Sequence, residues 1–251
     1  MAKAEQKGTE AELREANKIF FNKTAQIYEK VDHRRSDELT VWVGDTIKEM
    51  ASKAGSDALL DIGCGTGLVA RRAVGTFKNI YGIDISVEMA KKAKGICGDV
   101  VTMPFKSNSF NAISCFATLH HLPNFKDTFK EVYRILKSGG VFYTDHDMDE
   151  KFMNRFFIPM KVYRKVFNMG KKYVKEAEGI DEDLYHKSEI HEDGINTDFI
   201  LNSLREAGFS QVSVRFHWLG FSKVTNKILQ KLGLEASRRG FAPFVSIFAV
   251  K

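Results

Sequence analysis

Apolar residues along this chain follow two rhythms. Short, nearly continuous apolar runs at 58–62, 79–86, 98–105, 110–122 and 141–145 are bounded by Gly, Pro, Asn or Ser. Runs this short, rich in Ile, Val and Phe, predict strands buried on both faces. Between them lie stretches with apolar positions at helical spacing, predicting helices at 68–76, 86–94 and 125–137. Ser86 is the expected N-cap of the second of these, and Gly139-Gly140 is expected to end the third. Strand and helix alternating in this way predict an α/β fold, a doubly wound parallel sheet with helices on both faces. Two helices precede the alternation. The first covers 11–31, with Leu13, Ile19, Phe20, Ala25, Ile27 and Tyr28, and the second 38–54, with Leu39, Trp42, Val43, Ile47 and Met50. After the alternation come a helix at 198–206 capped by Thr197 and stopped by Gly208, a strand at 211–219, a basic helix at 222–234 and a closing strand at 243–251.

The first strand runs into Asp61-Ile62-Gly63-Cys64-Gly65-Thr66-Gly67. Glycines here let the chain turn sharply and bring bare backbone to a ligand, while the following helix start offers unpaired N–H groups. A nucleoside-containing cofactor is the expected occupant. The dinucleotide fingerprint needs a third glycine at 68, where this chain has leucine. Acids recur at the ends of later strands: Asp84 where a ribose diol would lie beside the turn, and Asp99 where an adenine amino group would lie.

This series of blocks, across roughly 57–147, resembles the class I S-adenosylmethionine-dependent methyltransferases, closest to the type-11 group that holds the ubiquinone/menaquinone methyltransferases. The resemblance implies a mostly parallel seven-stranded Rossmann-like sheet with an antiparallel terminal strand, and S-adenosylmethionine as cofactor with S-adenosylhomocysteine as product. It implies that Asp61, Gly63 and Gly65 border the methionine moiety, Asp84 holds the ribose and Ile85 packs on the adenine. Asp99 and Val100 read the adenine edge, and the backbone near Phe116 faces the amino group. Cys64 sits within the same turn as a small packing residue rather than a nucleophile. Among Phe20, Phe21 and Tyr28, Tyr28 is expected to close over the cofactor; ordinary core packing is the alternative. The implied organisation is 1–56 as N-terminal helices over the site, 57–148 as cofactor-binding core, 149–196 as a helical lid insertion, and 197–251 as the rest of the sheet.

Composition narrows the setting. Of 251 residues, 43% are hydrophobic and 28% charged, ordinary for a globular protein. No apolar run reaches the roughly 20 residues of a transmembrane helix, and the N-terminus lacks a signal-peptide core. Three cysteines with no Cys-x-x-Cys argue for a reducing, cytoplasmic setting and against a metal site. The insertion is divided by charge. Residues 151–175 hold eight Lys/Arg and no acid, whereas 176–193 hold eight acids and one lysine. Pro159 is expected to kink or split the basic helix. Three readings stay open: a lid whose two arms pair over the pocket, an interfacial helix making peripheral membrane contact to collect a lipid or quinone, or a holder for an anion such as RNA. The acidic arm argues against nucleic acid.

Methyl transfer asks a protein to align an electron-rich atom in a closed site, with a base if the acceptor carries a proton. His120 and His121 follow the fourth strand and His146 the fifth, so these three are the candidate bases; Tyr185, His186 and His191 are further candidates in the insertion. The expected function is methyl transfer to a small organic acceptor at O, N or C. The alternatives are a quinone or lipid acceptor at a membrane, and a cofactor-binding protein without transfer.

Overall fold

A computed structural model of the protein describes residues 7–31, 37–166, 169–221, 231 and 238–251. Its centre is one seven-stranded sheet in the order β3-β2-β1-β4-β5-β7-β6. The strands are β1 (Ala58–Ile62), β2 (Asn79–Asp84), β3 (Ile96–Cys97), β4 (Phe110–Phe116), β5 (Leu136–Met148), β6 (Gln211–His217) and β7 (Phe244–Val250). Ladders from β3 to β5 are parallel, and β7 runs antiparallel to both β5 and β6. This is the doubly wound, mostly parallel sheet with one reversed terminal strand that the sequence predicts, except that the third strand is the two-residue Ile96–Cys97 and the run 98–105 expected as a strand lies beyond it in loop and turns.

Packing follows from the patterns. All five β1 residues are buried, as a central parallel strand requires. On one face lies α3 (Asp37–Ala54), burying Leu39, Val43, Ile47 and Met50 with α4 (Leu68–Ala73). On the other face lies α6 (Phe125–Ile135), whose Phe125, Phe129, Val132 and Ile135 recur at helical spacing. Each such side chain contributes about 1.5–3 kcal/mol of burial. Between them α5 (Val87–Ala93) starts as expected, with Ser86 Oγ accepting from Met89 N at 3.1 Å.

Several boundaries differ from expectation, each for a visible reason. The first helix ends at Thr24 in α1 (Glu10–Thr24) and resumes as the single turn α2 (Tyr28–Val31). There the Thr24 hydroxyl donates to Phe20 O, and Ile27 N bonds back three residues to Thr24 O. Gly139-Gly140 do not end α6; that helix stops at Ile135, and the glycines lie inside β5 beside an irregularity in its pairing with β4. Asn196, not Thr197, caps α11 (Thr197–Ala207), because its side chain accepts from Phe199 N while Thr197 Oγ1 donates to Asp149 Oδ1 at 2.6 Å. The basic stretch splits into α7 (Glu150–Arg155) and α8 (Phe157–Val166) at Phe156, three residues before Pro159. Pro159 therefore falls in the first turn of α8, where its missing N–H would have no helical partner.

The insertion leaves and rejoins the body at one place. Glu150 N donates to Ile195 O and Ile195 N to Met148 O, at 3.0 and 2.7 Å. Beyond α8 it holds α9 (Met169–Glu176) and α10 (Glu182–Ser188). Tyr173, Ala177 and Ile180 bury themselves against Phe20 and Val31, so this arm packs on the N-terminal helices. Arg164 joins the two charged arms through Asp193 at 3.5 Å, while Lys30 of the N-terminal segment takes Glu176 at 2.7 Å. The basic helix expected at 222–234 lies outside the described residues but for Lys231, as does Phe167. No described helix is long and apolar enough to cross a membrane.

Candidate functional site

Strand order reverses direction of growth between β1 and β4, and a cavity of about 130 Å³ opens at their carboxyl ends. Backbone shapes its floor. Gly63 has φ 65°, and a Cβ there would fall 2.3 Å from Thr118 Cγ2, so only glycine lets the β1 turn close against the loop after β4. Gly65 has φ 49° and open space where a Cβ would point. Its N–H donates to Asp84 Oδ2, and Ser86 N–H to Asp84 Oδ1, both at 2.9 Å. The end of β2 is thereby pinned to the turn after β1.

Tyr28, Asp61, Gly63, Cys64, Gly65, Asp84, Ile85, Asp99, Val100 and Phe116 all border this one cavity. Its electrostatics are lopsided. Asp61 is buried with Ser114 Oγ as a donor at 2.7 Å, and burial, with Asp84 adding to it, raises its pKa to about 7. Burial likewise raises Asp84 to about 6 against its two backbone donors. Among the described residues Arg14 is the one Lys or Arg lining the cavity, and its Nε lies 3.6 Å from Asp99 Oδ2. Asp61 and Asp84 thus hold anionic capacity that no lining cation among the described residues meets. A ligand carrying positive charge fits them, because it lowers the cost of ionising both. S-Adenosylmethionine, with a sulfonium and an ammonium, is such a ligand. Cys64 is buried and burial pushes its thiol up, which suits a packing residue.

The three histidines separate. His121 lines the cavity, edge-on to Phe21 at 4.9 Å between centroids. Its Nδ1 lies 2.7 Å from Ser188 O, an acceptor, so Nδ1 carries the proton and Nε2 keeps a lone pair. Burial, then the neighbouring His120, lowers its pKa to about 4. His146 also lines the cavity, held at φ 64° with its ring 4.4 Å from that of Phe116. Its Nδ1 lies 3.0 Å from Asp145 Oδ1, yet neither ring nitrogen makes a hydrogen bond. His120 is not among the cavity's lining residues. Asp147 Oδ1 takes both its backbone N–H and its Nδ1, at 3.0 and 2.6 Å. His191 Nε2 donates to Leu122 O and so ties the insertion to the loop after β4, whereas His186 pairs with Glu192 inside the insertion.

Sequence reasoning missed Asn17, Arg14 and Leu39 at the cavity. Asn17 had a readable signal. It sits on the apolar face of α1, four residues after Leu13 and three before Phe20, and is buried with Oδ1 unpaired while Nδ2 donates to Leu13 O and His121 O. Behind the cavity, Asp145 is buried and accepts from Trp42 Nε1, Tyr143 Oη, His146 N and His217 Nε2. Although burial alone raises it, His146 and His217 beside it hold its pKa well below the usual range.

Known proteins share this fold. The Methyltransferase domain family matches residues 60–144, the span of β1 to β5 that builds the cavity floor. An uncharacterized protein of Methanocaldococcus jannaschii is 30% identical over 245 residues, covering 93% of this chain and 90% of that protein. A demethylmenaquinone methyltransferase of Staphylococcus haemolyticus is 25% identical, covering 82% and 90%. Among solved structures, a SAM-dependent methyltransferase of Thermotoga maritima shares the fold at a TM-score of 0.58 and 20% identity, covering 93% of this chain and 99% of that one. With the glycine turn, the buried acids and these matches together, the chain belongs to the class I S-adenosylmethionine-dependent methyltransferases of the type-11 group and is an enzyme.

Proposed function

We propose that the enzyme methylates a small organic acceptor with an apolar body and an ionisable O–H, N–H or activated C–H, and that His121 takes the acceptor's proton. The observation that carries this reading is a half-buried histidine on the wall of the cavity, with its pKa lowered to about 4 and Nδ1 committed to Ser188 O. S-Adenosylmethionine, when bound there, would supply an electrophilic methyl group. Asp84 would hold its ribose hydroxyls, and Asp99 with Val100 would read the adenine edge. Ile85, Tyr28 and Cys64 would pack on it, Gly63 and Gly65 would give it bare backbone, and Asp61 with the backbone at Phe116 would face the methionine end. Phe21, Leu39, Phe116, Leu122 and His146 give the acceptor an apolar wall. His120 positions its neighbour: Asp147 clamps it, and its ring sits 3.9 Å from that of His121.

His121 enters the reaction unprotonated above about pH 5, since its folded pKa lies near 4. The charge it gains is met by Glu189 and Asp147, both of which favour the protonated ring. A second reading, a quinone or lipid-like acceptor, is favoured by the demethylmenaquinone methyltransferase relative. Both readings share the same cavity.

Calorimetric titration with S-adenosylmethionine and S-adenosylhomocysteine comes first, with micromolar binding of both expected. Acceptor screening follows with phenols, amines and hydroquinones. His121→Ala is then expected to lower kcat by about 10²–10⁴-fold, the usual range for a general base, at unchanged cofactor affinity. Turnover that survives the substitution removes His121 from the mechanism.

A further inference from the structure

Among the described residues, helix α8 is anchored on one side. Met160 is buried with Phe152 and Met153 of α7, and the Tyr163 ring stacks on Phe221 at 5.3 Å between centroids. At 100° per residue these anchors share one side of the helix. The other side is apolar and open. Phe157 is 58% exposed, Ile158 74%, Val162 57% and Val166 69%. Ile158, Val162 and Val166 are spaced by four and form a continuous stripe. Exposed Lys161 and Lys165 lie between that stripe and Phe157 around the helix, with Lys161 Nζ 5.9 Å from the Phe157 ring centre. Phe241, 47% exposed, lies under the Arg155 guanidinium at 4.2 Å. Single exposed apolar residues are common, but four on one ten-residue helix are not.

The charge around the stripe has one sign. No acid occurs between Glu150 and Glu176. Of the insertion's acids, Asp193 reaches α8 at Arg164, on the side of the helix away from the stripe, while farther along Glu176 meets Lys30, Glu192 meets His186 and Asp183 meets Lys187. A second copy docking through this face would set Lys161 and Lys165 against their own counterparts, which a two-fold interface penalises. An anionic bilayer surface accepts both parts: its acyl region takes the stripe, and its headgroups take the lysines.

We propose that α8 is a membrane-docking helix, lying in the plane of an anionic bilayer with Ile158, Val162 and Val166 toward the acyl chains. This goes beyond the methyl-transfer reading and does not depend on it. The test is co-sedimentation of the full chain with phosphatidylglycerol/phosphatidylcholine vesicles and with phosphatidylcholine alone. Binding to the anionic vesicles is expected, with neutral ones about tenfold weaker or more. Replacing Ile158, Val162 and Val166 together by serine is expected to weaken binding by about a hundredfold. The pair Lys161→Glu and Lys165→Glu, exposed and outside the core, is expected to lose about tenfold or more. S-Adenosylhomocysteine affinity and the thermal melt, unchanged in both variants, confirm intact folds. Failure to bind any vesicle overturns the proposal. So does binding that survives the triple serine variant, or a wild-type dimer that this variant converts to monomer.

Discussion

The core sheet and the insertion both border on the same enzyme function, yet they spend their residues in opposite ways. In the core, apolar side chains point inward without exception at β1, and the buried carboxylates Asp61, Asp84 and Asp145 lie toward the carboxyl ends of their strands. The insertion buries one side of each short helix and leaves large apolar side chains outside on α8. Its Ser188 also supplies the carbonyl that fixes the proton on His121. The core makes the cavity by backbone geometry; the insertion sets one wall's protonation and presents a surface of its own. Stability and cofactor affinity should therefore respond to the first region, and surface behaviour to the second.

The widest gap between the regions is expected at Phe129. It is fully buried between α6 and the sheet, with Phe142 at 5.8 Å between centroids. Phe129→Ala should cost about 3–5 kcal/mol of unfolding free energy in urea, and a loss under 1 kcal/mol would show that the core repacks far more easily than its burial implies. Next in size is Asp84→Ala, which removes a carboxylate bonded to Gly65 N and Ser86 N. Cofactor binding by calorimetry should weaken by about 1.5–3 kcal/mol. Unchanged affinity would take the ribose role away from Asp84.

Asp61 tests whether the cavity stores instability for function. Its folded pKa, near 7, lies above the unfolded value, so its contribution to stability is present at acid pH and lost as pH rises through 7. Asp61→Asn keeps the shape and removes the charge. It should raise stability by about 1–2 kcal/mol at pH 8 after the amide's own burial cost, and change little at pH 4. The same variant should bind S-adenosylmethionine more weakly. His121 and His191 act with the opposite sign. Their pKa values near 4 lie below the unfolded value, so their contribution falls as pH drops from about 6.5 toward 4. Equal melts of wild type and Asp61→Asn across pH 4–8 would show that Asp61 is solvated in solution.

Much of the core was legible because its signals are local. A buried run followed by Gly63, Gly65 and Gly67, then acids at 84 and 99, places the cavity residues without long-range information. What stayed hidden depends on pairing across the chain. His120 and His121 look alike in sequence, and only Asp147 and Ser188, 27 and 67 residues away, separate a clamped ring from one lining the cavity. The start of α11 turned on a similar competition. Thr197 is a good cap by type, but Asp149 across the insertion claims its hydroxyl and leaves capping to Asn196. Pro159 splits the basic stretch as its type predicts, but the break falls at Phe156, since the ring acts on the carbonyl four residues back and leaves the proline itself in the first turn of α8.

The smallest effect expected is the one that bears hardest on the comparison. Ile158 is an isoleucine in α8, and in the core such a residue would cost about 2–5 kcal/mol on truncation to alanine. At 74% exposed it has little to lose, and alanine is the better helix former. Ile158→Ala should therefore shift the free energy of unfolding by no more than about 0.5 kcal/mol, and by the same amount with or without S-adenosylhomocysteine. A destabilisation above about 1 kcal/mol would mean that α8 packs on the protein itself in solution. If that loss appeared only with cofactor bound, the helix would be closing over the loaded site, and the lid reading of 149–196 would replace the outward-facing one.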